Sequence, residues 1–319
     1  MADPAWVAAG PGAPPVDPTT ASSHAFNDDF AWPAHPGPFQ VVSPEQARAY
    51  DDDGFFVLDD VFDEATLARM RTEIAPHEQA TNEFLRQIEG GRISVAIADA
   101  LTVTVHLVNQ SAFLRDLCAG PALAAVARDL IGPDVRLYWD QAVYKFPDNP
   151  DPVPWHQDNG YTYVEPQAYL TCWIPLVDAT VDNGCVWVLP GLHHRGTLEH
   201  WNTDLGFRCL PDAVEGAVAV PAKAGSIVVF SSLTPHWTGP NTTDQMRSAY
   251  IVQYVPDGAE TVRSDQTNAD QTNADQPTNT ARPRHDRPRD TARRDPVHDP
   301  RRQYPVVAAG ALVGAPPLT

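Results

Sequence analysis

The spacing of apolar residues switches once along this chain, near Gly132-Pro133, and no other feature constrains the fold as much. Before that point the pattern is helical. Ser43-Pro44-Glu45-Gln46 reads as a capped helix start: serine is the N-cap, proline takes the first helical position and Gln46 closes a capping box. That helix ends near Asp51-Asp52-Asp53-Gly54, and Phe55, Phe56, Val57 and Leu58 read as a short strand. Asp63 can cap a second helix with Leu67, Met70 and Ile74 on one face. Ser111 can cap a further helical stretch to residue 131, punctuated by Gly120-Pro121. Beyond Gly132-Pro133, short apolar runs alternate with turns. The pattern predicts strands over Val135–Tyr144, Tyr169–Val177, Cys185–Leu189, Ala217–Val220, Ser226–Phe230 and Ser248–Val255. Several short strands without long helices between them predict an antiparallel sandwich or barrel. The expected fold is mainly β with flanking helices.

The two ends differ from this middle. Of the 32 prolines, eight fall in residues 1–40 and eight in 257–319. Residues 265–275 hold a tandem five-residue repeat, Asp-Gln-Thr-Asn-Ala, and Tyr304 is the only aromatic after 256. Such composition buries too little surface to offset its ordering entropy. The expectation is a Pro/Ala-rich extension over 1–42, a folded domain over 43–256 and a disordered low-complexity tail over 257–319.

The formal net charge is -19, and the tail from 257 is neutral, so the folded part carries all of it. A domain this acidic is a poor surface for phosphate backbones, which argues against nucleic acid as a partner. The four cysteines form no CxxC pair and read as buried free thiols of a reducing compartment. No basic stretch followed by an apolar run opens the chain, and Val306 to Val313 is too short to span a bilayer. The expectation is a cytoplasmic protein that does not engage a membrane.

The chemistry centres on Trp155-His156-Gln157-Asp158. On an extended chain, His156 and Asp158 point to the same side and can share one metal. His236, after the apolar run Ile227 to Phe230, can supply a third ligand. Two histidines and a carboxylate on one face of an octahedron form the facial triad of non-haem iron(II) oxygenases, which leaves three positions open. An isolated His-x-Asp is a weak signal, since a surface histidine beside a solvated aspartate looks the same. Arg247 follows His236 by eleven residues. If the Gly239-Pro240-Asn241 turn joins two neighbouring strands, Arg247 reaches the same cavity and can take a carboxylate through its planar fork. A structural salt bridge in an acidic chain is the other use for that arginine.

Four stretches carry a resemblance to the phytanoyl-CoA dioxygenase family over about Ser43 to Pro256. They are Tyr50 to Val57; Tyr138-Trp-Asp-Gln-Ala-Val-Tyr-Lys145 with Trp155-His-Gln-Asp158; Thr171 to Asp178 with Asn183-Gly184 through Pro190-Gly191-Leu192-His193; and Gly225 through His236 to Arg247. Where relatives often carry Pro-Gly-Ser-His, leucine stands at 192. The resemblance implies a double-stranded β-helix (jelly-roll, cupin-like) core. It implies His156, Asp158 and His236 as Fe(II) ligands and Arg247 as partner of the distal carboxylate of 2-oxoglutarate. It also implies Gln141, Trp173 and Thr238 as contacts of that co-substrate. The reaction it implies is a dioxygenase reaction: O2 and 2-oxoglutarate are consumed, succinate and CO2 are released, and a small-molecule metabolite is hydroxylated or otherwise oxidised. Related halogenases replace the carboxylate ligand with a small residue, so Asp158 implies oxidation instead.

Substrate contacts are expected from the less regular segments, with His106, Lys145, Tyr161 and Trp201 as candidates. His193 and His194 read as structural. A hydrolase or isomerase on the same barrel, or a non-catalytic metal-binding relative, would need no Arg247.

Overall fold

The computed structural model describes residues 15–27, 29–263 and 292–318; the five-residue repeat lies outside them. Its first long helix is Pro44–Asp53. The Ser43 hydroxyl accepts from the Gln46 N–H, and the Gln46 side chain accepts from the Ser43 N–H, as a capping box requires. Gly54 ends the helix with φ at 85°, and a β-carbon there would lie 2.5 Å from Thr234 Oγ1. Conformation and crowding both demand glycine. Asp63 caps the helix Glu64–Gln87 by accepting from Thr66 N–H. Ser111 caps Ala112–Ala119 in the same way, and Gly120 separates it from Pro121–Ile131.

The strands form two facing sheets. The larger is antiparallel throughout, in the order Phe55–Leu58, Ile227–Ser231, Leu170–Pro175, Arg247–Pro256, Val135–Lys145, Leu101–Val105, Ala96–Ile97, Arg92–Ile93. The smaller runs Val218–Val220, Val186–Val188, His236–Thr238, Val153–His156. Together they make the jelly roll.

Alternation along the strands divides the protein into two cores. On the outer face of the large sheet, Tyr144, Cys172, Ile174, Tyr250, Val252 and Tyr254 pack against Leu67, Met70, Ile74, Leu114, Leu123 and Leu130 of the helices. Met70 and Ile74 have no exposed surface, and each such burial stabilises by about 1.5–3 kcal/mol. On the inner face, Val143, Trp173, Val228, Phe230, Ala249 and Ile251 meet Trp155, Val186 and Val188 of the small sheet. The functional residues stand in this inner space.

Three expectations are corrected. The strands bearing His236 and Arg247 are not neighbours: they lie in opposite sheets, and the turn after Thr238 carries the chain from one to the other. The described part of the N-terminal extension packs onto the domain. Asp129 Oδ2 accepts from the N–H groups of Gln40, Val41 and Val42, and Trp32 Nε1 donates to Asp51 at 3.0 Å. Sparse anchors of this kind are invisible to composition. The described end of the chain is likewise folded. Glu260–Arg263 pairs with Arg293–Pro296 and with Val164–Glu165, and Pro305–Ala308 pairs with Val135–Lys145. Tyr304, Val306 and Val307 are buried there, a short apolar cluster diluted by the polar sequence before it.

Candidate metal centre

His156 and His236 are cross-strand partners in the small sheet, so their side chains leave the same face. Their ring centroids are 4.1 Å apart. Asp158 follows Gln157, which is extended (φ -111°, ψ 143°), and so returns to the side of His156. Candidate ligand atoms of His156, Asp158 and His236 all lie within 4.8 Å of one another, the one such cluster among the described residues. His236 Nε2 is 3.8 Å from Asp158 Oδ1.

The surroundings fix these side chains in a metal-binding form. Nδ1 of His156 lies 2.7 Å from the Pro154 carbonyl, and Nδ1 of His236 lies 3.0 Å from the Thr234 carbonyl. A carbonyl only accepts, so each Nδ1 carries the proton and each Nε2 keeps its lone pair. Burial pushes both imidazoles down, His156 to about 3 and His236 to about 4, so both are neutral at pH 7. Burial pushes the Asp158 carboxyl up, as expected of a carboxylate built to face a cation. Thr171 Oγ1 donates to Asp158 Oδ2 at 2.5 Å and leaves Oδ1 turned toward His236. The intervening Gln157 points away and is consumed structurally: its amide donates to Gly196 and Leu233 carbonyls and accepts from Leu198 N–H.

Arg247 stands in the inner space without a partner. It has no exposed surface, and none of its three guanidinium nitrogens makes a hydrogen bond. Burial pushes it down to about 10, still charged at pH 7. A buried cation left unpaired costs several kcal/mol, so the arrangement makes sense around an anion. Its guanidinium carbon lies 5.6 Å from the ring centroid of Trp173. Trp173 and Gln141 each pair with Ile251, so the three share one row across the sheet. Gln141 Oε1 accepts from Trp139 Nε1 at 2.9 Å.

Lys145 is held by the protein itself. It is fully buried, and Nζ donates to the carbonyls of Asp151, Thr238 and Gly239 and, at 3.4 Å, to Thr238 Oγ1. Burial first, and Arg247 second, push it well below the usual lysine range. Nζ is the donor to the Thr238 hydroxyl, which therefore keeps its own proton free for an acceptor. Tyr161 stands edge-on to His156, with centroids 5.2 Å apart. His106 packs on Trp139 at the rim of the large sheet. Trp201 is 45% exposed on a two-stranded hairpin, opposite Arg208. His193 is structural: Nε2 donates to the Asp51 carbonyl, and its ring packs against Trp32.

Sequence reasoning did not single out Thr171 or His200. Thr171 sits two residues before Trp173, so strand alternation alone places both on the inner face. His200 Nε2 accepts from the Gln157 N–H at 2.9 Å, and Nδ1 donates to the Leu198 carbonyl at 2.9 Å. No local signal in the sequence marks that contact, 43 residues away.

Comparison with known proteins agrees with this geometry. Residues 50–249 match the family model described as phytanoyl-CoA dioxygenase (PhyH). A phytanoyl-CoA dioxygenase of Arabidopsis thaliana is 30% identical over 129 residues, 39% of this chain and 46% of that protein, so the match spans under half its length. A methylphosphonate hydroxylase of Gimesia maris is 26% identical over 67% of this chain and 81% of that one. Among solved structures, the non-haem α-ketoglutarate-dependent carbocyclase SnoK from nogalamycin biosynthesis superposes with a TM-score of 0.59. It is 25% identical, over 74% of this chain and 94% of that one. With the family matched over well over half of its length, the chain belongs to the phytanoyl-CoA dioxygenase family and is a non-haem, 2-oxoglutarate-dependent oxidoreductase.

Proposed function

We propose that this protein hydroxylates, or otherwise oxidises, a small-molecule metabolite, using Fe(II), 2-oxoglutarate and O2 and releasing succinate and CO2. His156, Asp158 and His236 would hold the iron, and Arg247 the distal carboxylate of 2-oxoglutarate. When bound, the iron and its co-substrate supply the oxidising power. The chain's own residues supply position and protection. Pro154 and Thr234 carbonyls orient the two imidazoles, and Thr171 orients Asp158. Thr238 can donate to the carboxylate that Arg247 pairs with, while Trp173 packs beside the guanidinium. Gln141 lies in the same cross-strand row as Trp173, beside Val105. The apolar inner core excludes water from this space.

The observation that carries the reading is the unpartnered guanidinium of Arg247 inside the same sandwich as the three ligands. A hydrolytic or purely binding role leaves that charge without a purpose. Anaerobic protein mixed with Fe(II) and 2-oxoglutarate should develop a weak visible charge-transfer band. The band should vanish in His156→Ala and require far more 2-oxoglutarate in Arg247→Ala. Retained Fe(II) without a band on adding 2-oxoglutarate would sink the proposal.

A further inference from the structure

Burial along one inner strand shows where the sandwich opens. On Leu101–Val105 the inward residues are Leu101, Val103 and Val105, and exposure climbs from 3% at Leu101 to 41% at Val105. Leu101 pairs with Lys145, which pairs with Arg247; that end is closed. Val105 pairs with Gln141, and Trp139 follows on the same face. Trp139 pairs with Gln253, whose amide reaches Thr171, the hydroxyl partner of Asp158. The open end therefore adjoins the metal ligands.

Aromatic surface borders this opening on both sides. On the small-sheet side Tyr161 stands on His156, and Phe207 stands edge-on to Tyr161 with centroids 5.5 Å apart. These rings are 39% and 36% exposed, whereas Trp155 of the small sheet is buried. Cations next to the rings are already matched. Arg208 pairs with Asp212 and donates to the Leu210 carbonyl. Arg302, over Trp139, pairs with Asp299 at 2.9 Å. With Arg208 and Arg302 already paired and the chain acidic, an anionic substrate is disfavoured here. Exposed aromatic faces suit a flat apolar ring, which gains by stacking and by leaving water.

From this we infer that the substrate presents an uncharged, flat ring system to Tyr161 and Phe207 on one side and to Trp139 and Val105 on the other, and carries no phosphate at that end. The inference rests on the oxygenase reading and names the substrate class of that same site. The test uses 2-naphthol as a flat uncharged probe and coenzyme A as a phosphorylated one. Both are titrated by calorimetry into anaerobic protein loaded with Fe(II) and 2-oxoglutarate. 2-Naphthol should bind and coenzyme A should not compete with it. Phe207→Ser and Tyr161→Ser should each weaken 2-naphthol about tenfold or more, and Phe207→Ser should leave the charge-transfer band intact. A normal band with no 2-naphthol binding, with equal or tighter coenzyme A binding, or with both variants binding as before overturns the inference alone. Absence of the band in the unaltered protein overturns the oxygenase reading and this inference with it.

Discussion

The His200 imidazole lies against the α-carbon of Gly160, so close that a β-carbon on Gly160 would sit 2.1 Å from the ring. That ring also accepts the N–H of Gln157, the residue between two candidate ligands. His200 thus sets the path of the chain from His156 to Asp158. His200→Phe keeps the bulk and removes the acceptor. Fe(II) affinity, read by anaerobic titration, should fall about 10–100-fold, in line with other groups that orient metal ligands. His200→Gln restores an acceptor and should recover part of that loss. If His200→Phe lowers the melting temperature but not the affinity, the residue only packs.

Arg247 sets stability against binding. Replacing an unpaired buried charge with a hydrophobic residue of similar length relieves desolvation, by about 1–4 kcal/mol in comparable cases. Arg247→Met should therefore raise the melting temperature of the protein without 2-oxoglutarate. It should also weaken 2-oxoglutarate binding by about 100-fold, since a charged hydrogen-bonding pair is lost. Opposite signs in the two measurements are the expected outcome. A fall in both would mean that the guanidinium holds the fold.

Acid sensitivity should come in part from His193. Burial first, and neighbouring His194 second, push its imidazole down to about 4, against about 6.5 in the unfolded chain. Between those values the unfolded chain binds a proton that the folded one refuses, so stability falls as pH drops from about 6.5 to about 4. Asp140, pushed up to about 6 by burial, works in the opposite sense below that pH. His193→Gln keeps a donor for the Asp51 carbonyl and removes the titration. Urea unfolding at several pH values should show its slope reduced by about 1.4 kcal/mol per pH unit in that window. An unchanged slope would refute the assignment.

Tyr304 should be among the costliest residues to truncate. It is buried, its hydroxyl donates to the Arg115 carbonyl at 2.8 Å, and the Arg115 guanidinium lies 4.3 Å from its ring centroid. Tyr304→Ala should destabilise the whole domain by about 3–5 kcal/mol, measured by denaturant unfolding. A change below about 1 kcal/mol would show that the C-terminal strand is dispensable.

How much of this was legible in the sequence depended on range. Ser43, Asp63, Ser111 and Gly54 act within a few residues of themselves, and each does what its local pattern predicts. Strand alternation is enough to put Thr171 and Trp173 on one face, a signal that the sequence reading left unused. Cross-sheet relations were not legible. Spacing suggested that the His236 and Arg247 strands pair, yet they face one another across the interior, with Lys145, on the strand beside Arg247, bridging to Thr238 on the other sheet. Nor does residue type reveal that Lys145 is held by the protein itself. The described parts of the two ends carry structure that composition missed, because composition averages over tens of residues, whereas Tyr304, Val306 and Val307 need only four positions to anchor a strand.

The pairing of Pro305–Ala308 with Val135–Lys145 has a topological consequence. Earlier in the same part of the chain, Glu260–Arg263 pairs with Arg293–Pro296. A chain cut between Arg263 and Arg293 would still have its final 27 described residues seated by Tyr304, Val306 and Val307, and the two pieces should travel together as one particle.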